Sequence, residues 1–136
     1  MFASLNQKIS LADKLLDSIA GDYAPATFAN SYGAEDMVLT DLIAKNFPAI
    51  EIFSLDTGRL PQETYELMAQ TTLHYKRKIK IYFPETAAVE QYVKLNGISG
   101  FYDSQAQRKD CCHVRKVEPL KRALAGQSKN VFNVTT

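Results

Sequence analysis

AIEIFSLDTGRLPQETYELMAQTTLHY, residues 49–75, decides the fold class of this chain, because it passes from a strand through a polar loop into a helix. The apolar run 49–55 predicts the strand, and the polar segment 56–61 follows it directly. Pro61 suits the first turn of the next helix, and Glu63 lies near the positive end of that helix. Such a strand–loop–helix unit is typical of α/β proteins.

The same alternation continues on both sides of this stretch. Further helices are predicted at 4–19 (ending at Gly21), at 37–47 (ending before Pro48) and at 85–96 (capped by Gly97). Further strands are predicted at 26–31 and 78–83. After a loop at 97–110, a helix is predicted from Cys111 to Leu124 with Gly126 as its stop, then a strand at 130–134. The pattern predicts one domain over residues 1–136, with an open, mostly parallel sheet flanked by helices.

Composition is that of an ordinary globular domain. The chain has 136 residues, 46% of them apolar and 23% charged, and its formal net charge is +1. So small a charge gives no general attraction to nucleic acid or a membrane surface, and any anion recognition must be local. No apolar run reaches the roughly 18 residues of a membrane span, and the N-terminus does not resemble a signal peptide. We therefore expect a cytoplasmic protein with no nucleic-acid or membrane partner.

Two polar loops follow two of the predicted strands. Ligands of parallel sheets bind at the carboxyl ends of the strands, so segments 30–36 and 55–61 are expected to meet at one rim. Small residues before a helix let backbone amides approach an anion, and the second loop adds acceptors, a hydroxyl and a guanidinium. The residues concerned are Ser31, Gly33, Asp56, Thr57 and Arg59. The alternative is that Ser31 and Gly33 serve turn geometry only, and that Asp56 and Thr57 organise their turn and cap the next helix.

Both cysteines of the chain, Cys111 and Cys112, stand side by side in KDCCHVRKVEPLKRAL, residues 109–124. A disulfide between neighbours strains the peptide that joins them, and cytosolic thiols are usually reduced. The pair is therefore either a metal or cluster site or two small buried hydrophobic residues. The cations around it lower thiol pKa values and favour thiolates, which supports the first interpretation.

Four ordered blocks of the sequence resemble the assimilatory adenylylsulfate (APS) reductases, within the phosphoadenylylsulfate (PAPS) reductase family. They are SYGAEDMVLTDLI (31–43), SLDTGRLPQETYELM (54–68), NGISGFYDS (96–104) and KDCCHVRKVEPLKRAL, and the resemblance spans residues 5–126. It implies an adenine-nucleotide alpha-hydrolase-like, Rossmann-like fold. It also implies the two-electron reduction of adenylylsulfate to sulfite and AMP, with electrons from thioredoxin.

The resemblance also assigns roles to residues. It makes Cys111 and Cys112 two of the four thiolate ligands of a 4Fe–4S cluster, and it puts Lys116 between that cluster and the substrate sulfate. Lys116 lies four residues after Cys112, one helical turn on. Ala29 stands where some relatives have serine, so one polar contact is expected to be missing. The nucleotide-site residues it implies are Ser31, Gly33, Leu55, Asp56, Thr57, Gly58, Arg59 and the supporting cation Arg115.

Some parts of the family pattern are missing from this sequence. Adenylylsulfate reductases continue with a second cysteine pair, an arginine-rich loop and a C-terminal cysteine that attacks sulfur, and none of these is present. The chain is therefore expected to be a shortened reductase that holds no stable cluster. A PAPS reductase and a non-catalytic adenine-nucleotide-binding protein stay open as alternatives, as does a homo-oligomer. SYGAED lacks the second glycine and the final serine of the SGGxDS loop of ATP-using relatives, which argues against ATP cleavage.

Overall fold

A three-stranded parallel sheet organises the protein, whose computed structural model describes residues 4–125. The strands are β1 (Thr27–Ala29), β2 (Glu51–Leu55) and β3 (Lys80–Tyr82), and β2 lies between the other two. Phe28 of β1 is opposite Ile52, and Ser54 of β2 is opposite Ile81. The predicted α/β class with a parallel sheet is confirmed.

Helices precede and follow each strand. They are α1 (Leu5–Asp22), α2 (Ala34–Asn46), α3 (Gln62–Tyr75), α4 (Thr86–Asn96), α5 (Gln105–Cys112) and α6 (Glu118–Leu124). A 3₁₀ turn (Gly100–Tyr102) precedes α5, and a π turn (His113–Val117) joins α5 to α6. Within these residues no helix is long and apolar enough to cross a membrane.

The central strand β2 is buried on both faces, as is usual for parallel sheets. Ile52, Phe53 and Ser54 are each 2% exposed. Ile52 belongs to a cluster that also contains Leu16 of α1, Ile43 of α2 and the buried Ile50. Because β2 is fixed by this packing, the loop that leaves its carboxyl end starts from a rigid position.

The predicted helix 62–75 coincides with α3, whereas the segment before the cysteines differs from its prediction. Residues 97–110 were predicted to be a loop, but α5 already begins at Gln105. Ser104 provides the reason, because its Oγ accepts a 3.1 Å hydrogen bond from the Gln107 N–H and caps the helix. The predicted stop at Gly126 and the strand at 130–134 lie outside the described residues.

Candidate functional site

The loop after β1 satisfies its own backbone amides. Asn30, 3% exposed, accepts a 2.8 Å hydrogen bond from the Tyr32 N–H through Oδ1. Asp36 Oδ2 accepts the Ser31 N–H at 2.8 Å, and Ser31 Oγ accepts the Gly33 N–H at 3.2 Å. Tyr32 has a φ of 63°, which is uncommon outside glycine, and burial raises the pKa of its hydroxyl. The loop is thus a preformed turn, and an anion would have to meet other donors.

Those donors are the first amides of α2. The first helical hydrogen bond runs from the Met37 N–H to the Gly33 carbonyl at 2.9 Å, so the amides of residues 34–36 precede it. Ser31 and Gly33 stand exposed at this helix start, where the helix dipole favours negative charge. Asp36, 2% exposed, has a buried Oδ1 without a hydrogen-bond partner among the described residues. The start of α2 therefore has backbone amides that could bind an anion. The Asp36 carboxylate at the same helix start is buried.

The loop after β2 is organised by Asp56 and Thr57. Asp56 Oδ1 accepts hydrogen bonds from the Gly58 N–H at 2.7 Å and from the Tyr65 hydroxyl at 2.8 Å. Thr57 Oγ1 accepts the Arg59 N–H at 3.2 Å. The bond to Asp56 raises the pKa of Tyr65. Both side chains therefore shape the turn, but neither caps α3, which begins after Pro61 without a side-chain cap. The capping part of the alternative is wrong.

Arg59 turns from the rim toward the segment after α4. Its Nη1 donates a 2.8 Å hydrogen bond to the Ile98 carbonyl, and its guanidinium lies 4.6 Å from the centroid of the Phe101 ring. That segment itself needs glycine at position 100, because a Cβ there would lie 2.6 Å from Asn96 Cβ. Arg59 thus connects the rim loop to this turn. Its guanidinium interacts with the Ile98 carbonyl and the Phe101 ring.

Arg115 joins the cysteine-bearing segment to the same rim loop. Its Nη1 donates a 2.6 Å hydrogen bond to the Thr57 carbonyl. Gly58, with a φ of 80°, lies so close that a Cβ there would be 3.2 Å from Arg115 Nη1. Two regions that are far apart in the sequence therefore meet at Thr57 and Gly58.

The cysteines lie at the end of α5, a helix that is hydrogen-bonded to the buried Tyr92 of α4. Cys111 is half-buried, Cys112 is exposed, and both are free thiols. Tyr92, 6% exposed, donates a 2.9 Å hydrogen bond to the Gln107 carbonyl, one turn before Cys111. Burial raises the pKa of Tyr92, and the neighbouring Cys111 raises it further, whereas Arg115 lowers it. Tyr92, Cys111 and Arg115 are thus electrostatic neighbours.

A π turn separates the cysteines from α6. The Glu118 N–H bonds to the His113 carbonyl, five residues back, where a regular helix would use the fourth. Lys116 lies within this turn, so the regular helix that was expected from Cys111 to Leu124 is interrupted here. Its side chain is exposed and forms no ion pair within residues 4–125. An ammonium group without an ionic partner among the described residues thus lies on the segment that follows the thiols.

The two thiols by themselves would be only part of a cluster-binding set. Within the described part of the chain, no three His, Cys, Asp or Glu side chains are grouped for a metal ion. An iron–sulfur cubane takes four thiolates, and Cys111 with Cys112 supplies two. Cys111 and Cys112 could therefore supply two of the four thiolate ligands of such a cluster.

Both rim loops lie at the carboxyl edge of the sheet, as the sequence predicts. The Asn30 N–H bonds to the Phe53 carbonyl at 2.8 Å, and the Asp56 N–H bonds to the Tyr82 carbonyl at 3.0 Å. Leu55, half-buried, is the last residue of β2, while Ala29 ends β1 and is exposed. Asn30, Asp36 and Tyr92 were not predicted as site residues. An Asn directly after a strand and an Asp in a first helical turn are signals for the first two, but nothing local marks Tyr92.

A short parallel sheet with two polar loops at its carboxyl edge defines a Rossmann-like α/β protein. The family model described as "Phosphoadenosine phosphosulfate reductase domain" matches residues 25–133, and the chain belongs to this family. It is 49% identical to the adenosine 5'-phosphosulfate reductase of Allochromatium vinosum, over 92% of this chain and 49% of that protein. It is 44% identical to the enzyme of that name from Burkholderia cepacia, over 89% of this chain and 48% of that protein. The chain spans about half the length of these curated relatives.

A solved structure shares the fold. The crystal structure of phosphoadenylyl-sulfate (PAPS) reductase from Candida auris, a phosphate complex, aligns with a TM-score of 0.70. The alignment covers 91% of this chain and 64% of that chain at 21% identity. At this identity the likeness establishes the α/β architecture alone.

Proposed function

We propose that this chain takes part in thioredoxin-dependent reduction of adenylylsulfate to sulfite and AMP, in cytoplasmic sulfate assimilation. The observation that carries the proposal is the 2.6 Å hydrogen bond between Arg115 and the Thr57 carbonyl. It joins Arg115, three residues after the paired cysteines, to the rim loop expected to hold the nucleotide. The names of the curated relatives point to the same substrate.

The nucleoside end of the substrate would lie along the loop after β2. Leu55 ends the strand, so its backbone edge is available to adenine, and Thr57 follows beside the nucleoside. Asp56 and Gly58 keep the turn in shape, because the Gly58 N–H bonds to the Asp56 carboxylate at 2.7 Å. Arg59 supports the loop from outside through Ile98 and Phe101. These residues bind and orient the nucleotide and do not react.

The phosphate and sulfate would lie between the start of α2 and the cysteine segment. Ser31 and Gly33 expose a hydroxyl and a helix N-terminus, which suit the phosphate. Lys116 has an exposed ammonium group without an ionic partner among residues 4–125, which suits the sulfate. Cations at this position stabilise the negative charge that moves onto the phosphate oxygen when the sulfur–oxygen bond breaks.

The chemistry would proceed by thiol transfer. A thiolate attacks the sulfate sulfur, a sulfur–sulfur bond forms, and AMP leaves with the electrons of the broken sulfur–oxygen bond. Thioredoxin then attacks the cysteine sulfur, which releases sulfite and leaves a disulfide. Cys111 and Cys112 are not assigned the role of nucleophile, because they are proposed as ligands. That thiolate is assigned to the part of the relatives that this chain does not match.

Cys111 and Cys112 would hold two positions of a 4Fe–4S cluster. When bound, such a cluster supplies a polarisable charged group beside the sulfate end of the substrate. For this chain alone we expect no stable cluster, because metal affinity depends on a complete ligand shell.

Calorimetric titration of the purified chain with adenylylsulfate, AMP and 3'-phosphoadenylylsulfate tests the proposal. Adenylylsulfate is expected to bind more tightly than the 3'-phosphorylated nucleotide. The opposite order would favour a PAPS reductase. Binding of AMP and adenylylsulfate with equal affinity would favour a non-catalytic nucleotide-binding protein. No binding of any of the three would refute a nucleotide site at this rim.

A further inference from the structure

We propose that Arg115 is a positioning residue that transmits nucleotide occupancy of the rim loop 56–59 to the segment bearing Cys111 and Cys112. The nucleotide part of this inference rests on the proposed function, whereas the mechanical link rests on geometry alone. The link consists of one side chain that joins the π turn to the loop after β2.

Arg115 reaches the loop at its most constrained point. Its Nη1 is 2.6 Å from the Thr57 carbonyl, and Thr57 is 9% exposed. A Cβ on Gly58 would lie 3.2 Å from the same nitrogen, so the guanidinium fills the space that a side chain at 58 would need. The carbonyl therefore sets the position of the guanidinium, and the guanidinium fixes the carbonyl in return.

The loop is also where a nucleotide would exert its effect. The Asp56 carboxylate accepts a 2.7 Å hydrogen bond from the Gly58 N–H, and Thr57 Oγ1 accepts a 3.2 Å hydrogen bond from the Arg59 N–H. A nucleoside that contacts Thr57 would shift or fix this turn as a unit. Any such change passes to Arg115, because the Thr57 carbonyl is its hydrogen-bond acceptor.

At its other end, Arg115 is part of an irregular helical segment. The π turn begins directly after Cys112, the last residue of α5. π turns have poorer geometry than regular helix and are frequent at functional sites. A shift of Arg115 therefore acts on the backbone segment that directly follows the cysteines.

Coupling of this kind is reciprocal. If nucleotide binding stabilises the π turn, then a stabilised π turn must strengthen nucleotide binding by the same factor. Loss of Arg115 is therefore expected to weaken nucleotide binding. This role differs from that of a cation that touches the substrate, because the guanidinium donates to a protein carbonyl. It also separates Arg115 from Lys116, whose ammonium group has no partner among the described residues.

The test is amide hydrogen exchange of the full chain, with and without AMP, in Arg115→Met, Arg115→Lys and the control Arg108→Met. Arg108 is an exposed arginine on α5, away from Thr57 in the hydrogen-bond pattern. Without AMP, Arg115→Met is expected to raise exchange at residues 56–59 and 113–117 at least about fivefold, the lower end of typical coupling factors. Arg115→Lys should restore part of the protection, and Arg108→Met should change neither segment.

With AMP, the wild-type chain should gain protection at 113–117, and Arg115→Met should not. A global loss of stability would raise exchange in β2 and α2 as well, and that pattern would overturn the proposal. Unchanged exchange at 56–59 in Arg115→Met would also overturn it. If AMP fails to bind the wild-type chain, the proposed function fails and so does the transmission, while the exchange data without AMP still decide the mechanical link.

Discussion

The Tyr75 hydroxyl donates a 2.7 Å hydrogen bond to Asp41, which ties the end of α3 to the middle of α2. Asp41 also pairs with Lys45 at 2.9 Å. The Lys45 and Tyr75 side chains lower the pKa of Asp41, while burial and the bond to Asp41 raise the pKa of Tyr75 to about 12. A carboxyl group with a lowered pKa and a hydroxyl group with a raised pKa thus hold α2 and α3 together.

The first prediction follows from Tyr75. Its pKa rises from 10.0 in the unfolded chain to about 12, so its contribution to stability is complete below pH 10 and is lost as pH rises through 12. Tyr75→Phe should lower the free energy of unfolding by about 1 kcal/mol at neutral pH. Urea unfolding at pH 7 and pH 11 measures both. The wild-type chain should approach the variant at the higher pH, and an equal difference at both values would contradict the prediction.

Asp41 gives a second prediction, with the opposite sign. Because its pKa is lowered from the ordinary value of 3.8, its contribution to stability is present above that value and is lost as pH falls through the lowered pKa of the folded state. Asp41→Asn should therefore be less stable than the wild-type chain at pH 7 and closer to it at acid pH. Thermal unfolding across pH 2 to 7 tests this. A constant difference over the whole range would show that Asp41 acts through shape and not through charge.

The third prediction concerns Arg77, which caps the end of α2. Its Nη1 donates to the Ile43 carbonyl at 3.0 Å, and its Nη2 reaches the carbonyls of Phe47, Pro48 and Ile50. Arg77→Met should cost about 2 to 3 kcal/mol, because half-buried carbonyls lose a charged donor. The matched control is Lys78→Met, an exposed neighbour, which should change stability by less than about 0.5 kcal/mol. Equal effects of the two variants would refute the capping role.

Two glycines provide a fourth, paired prediction. Gly100→Ala would put a Cβ 2.6 Å from Asn96 Cβ and should destabilise the chain by about 1 to 3 kcal/mol. Gly21→Ala would meet no atom within 4 Å, and Gly21 lies inside α1. The second change should stabilise the chain by about 0.5 to 1 kcal/mol. Urea unfolding of both variants should give shifts of opposite sign.

The fifth prediction concerns the two rim loops. Ser31→Ala and Thr57→Ala should each weaken AMP binding by about 1 to 2 kcal/mol, measured by calorimetry, without changing the unfolding midpoint by more than a few degrees. Ser18→Ala, an exposed hydroxyl on α1, is the control. Unchanged affinity in both rim variants would mean that the loops only shape their turns.

Anaerobic iron–sulfide reconstitution tests the sixth expectation, that this chain alone does not assemble a full cluster. The product should contain well below one 4Fe–4S cluster per monomer, and thiol titration should find Cys111 and Cys112 free. Absorbance, an iron assay and sedimentation would measure this together. One cluster per monomer would contradict the expectation, whereas one cluster per dimer would show that two chains complete the set.

Helix α3 was predictable to the residue, whereas α5 was not, and the reason is physical. The start of α3 is marked locally by Pro61, and its apolar positions repeat with helical spacing. The first turns of α5 are polar, QAQRKD, and carry no apolar stripe. They are helical because Ser104 caps them and because Gln107 bonds to Asn96 at 2.9 Å. That second contact depends on where α4 lies.

The two rim loops were predictable as neighbours because parallel strands bring their carboxyl ends to one edge. The bond from Arg115 to Thr57 was not, since it joins residues 58 positions apart. Arg59 was predicted to offer its guanidinium to an anion, but the structure directs it to Ile98 and Phe101. Such pairings are set by packing between elements, which neither periodicity nor loop composition encodes.

The π turn can be described as a helix that carries one residue too many. The wide turn takes up this extra residue, so α6 keeps the direction of a helix that lacks it. Pro119 is buried directly after the turn, and Arg122 donates to the Phe83 carbonyl. Arg115 can therefore lie at the rim loop while α6 stays against the sheet, two placements that a regular helical spacing would not give together.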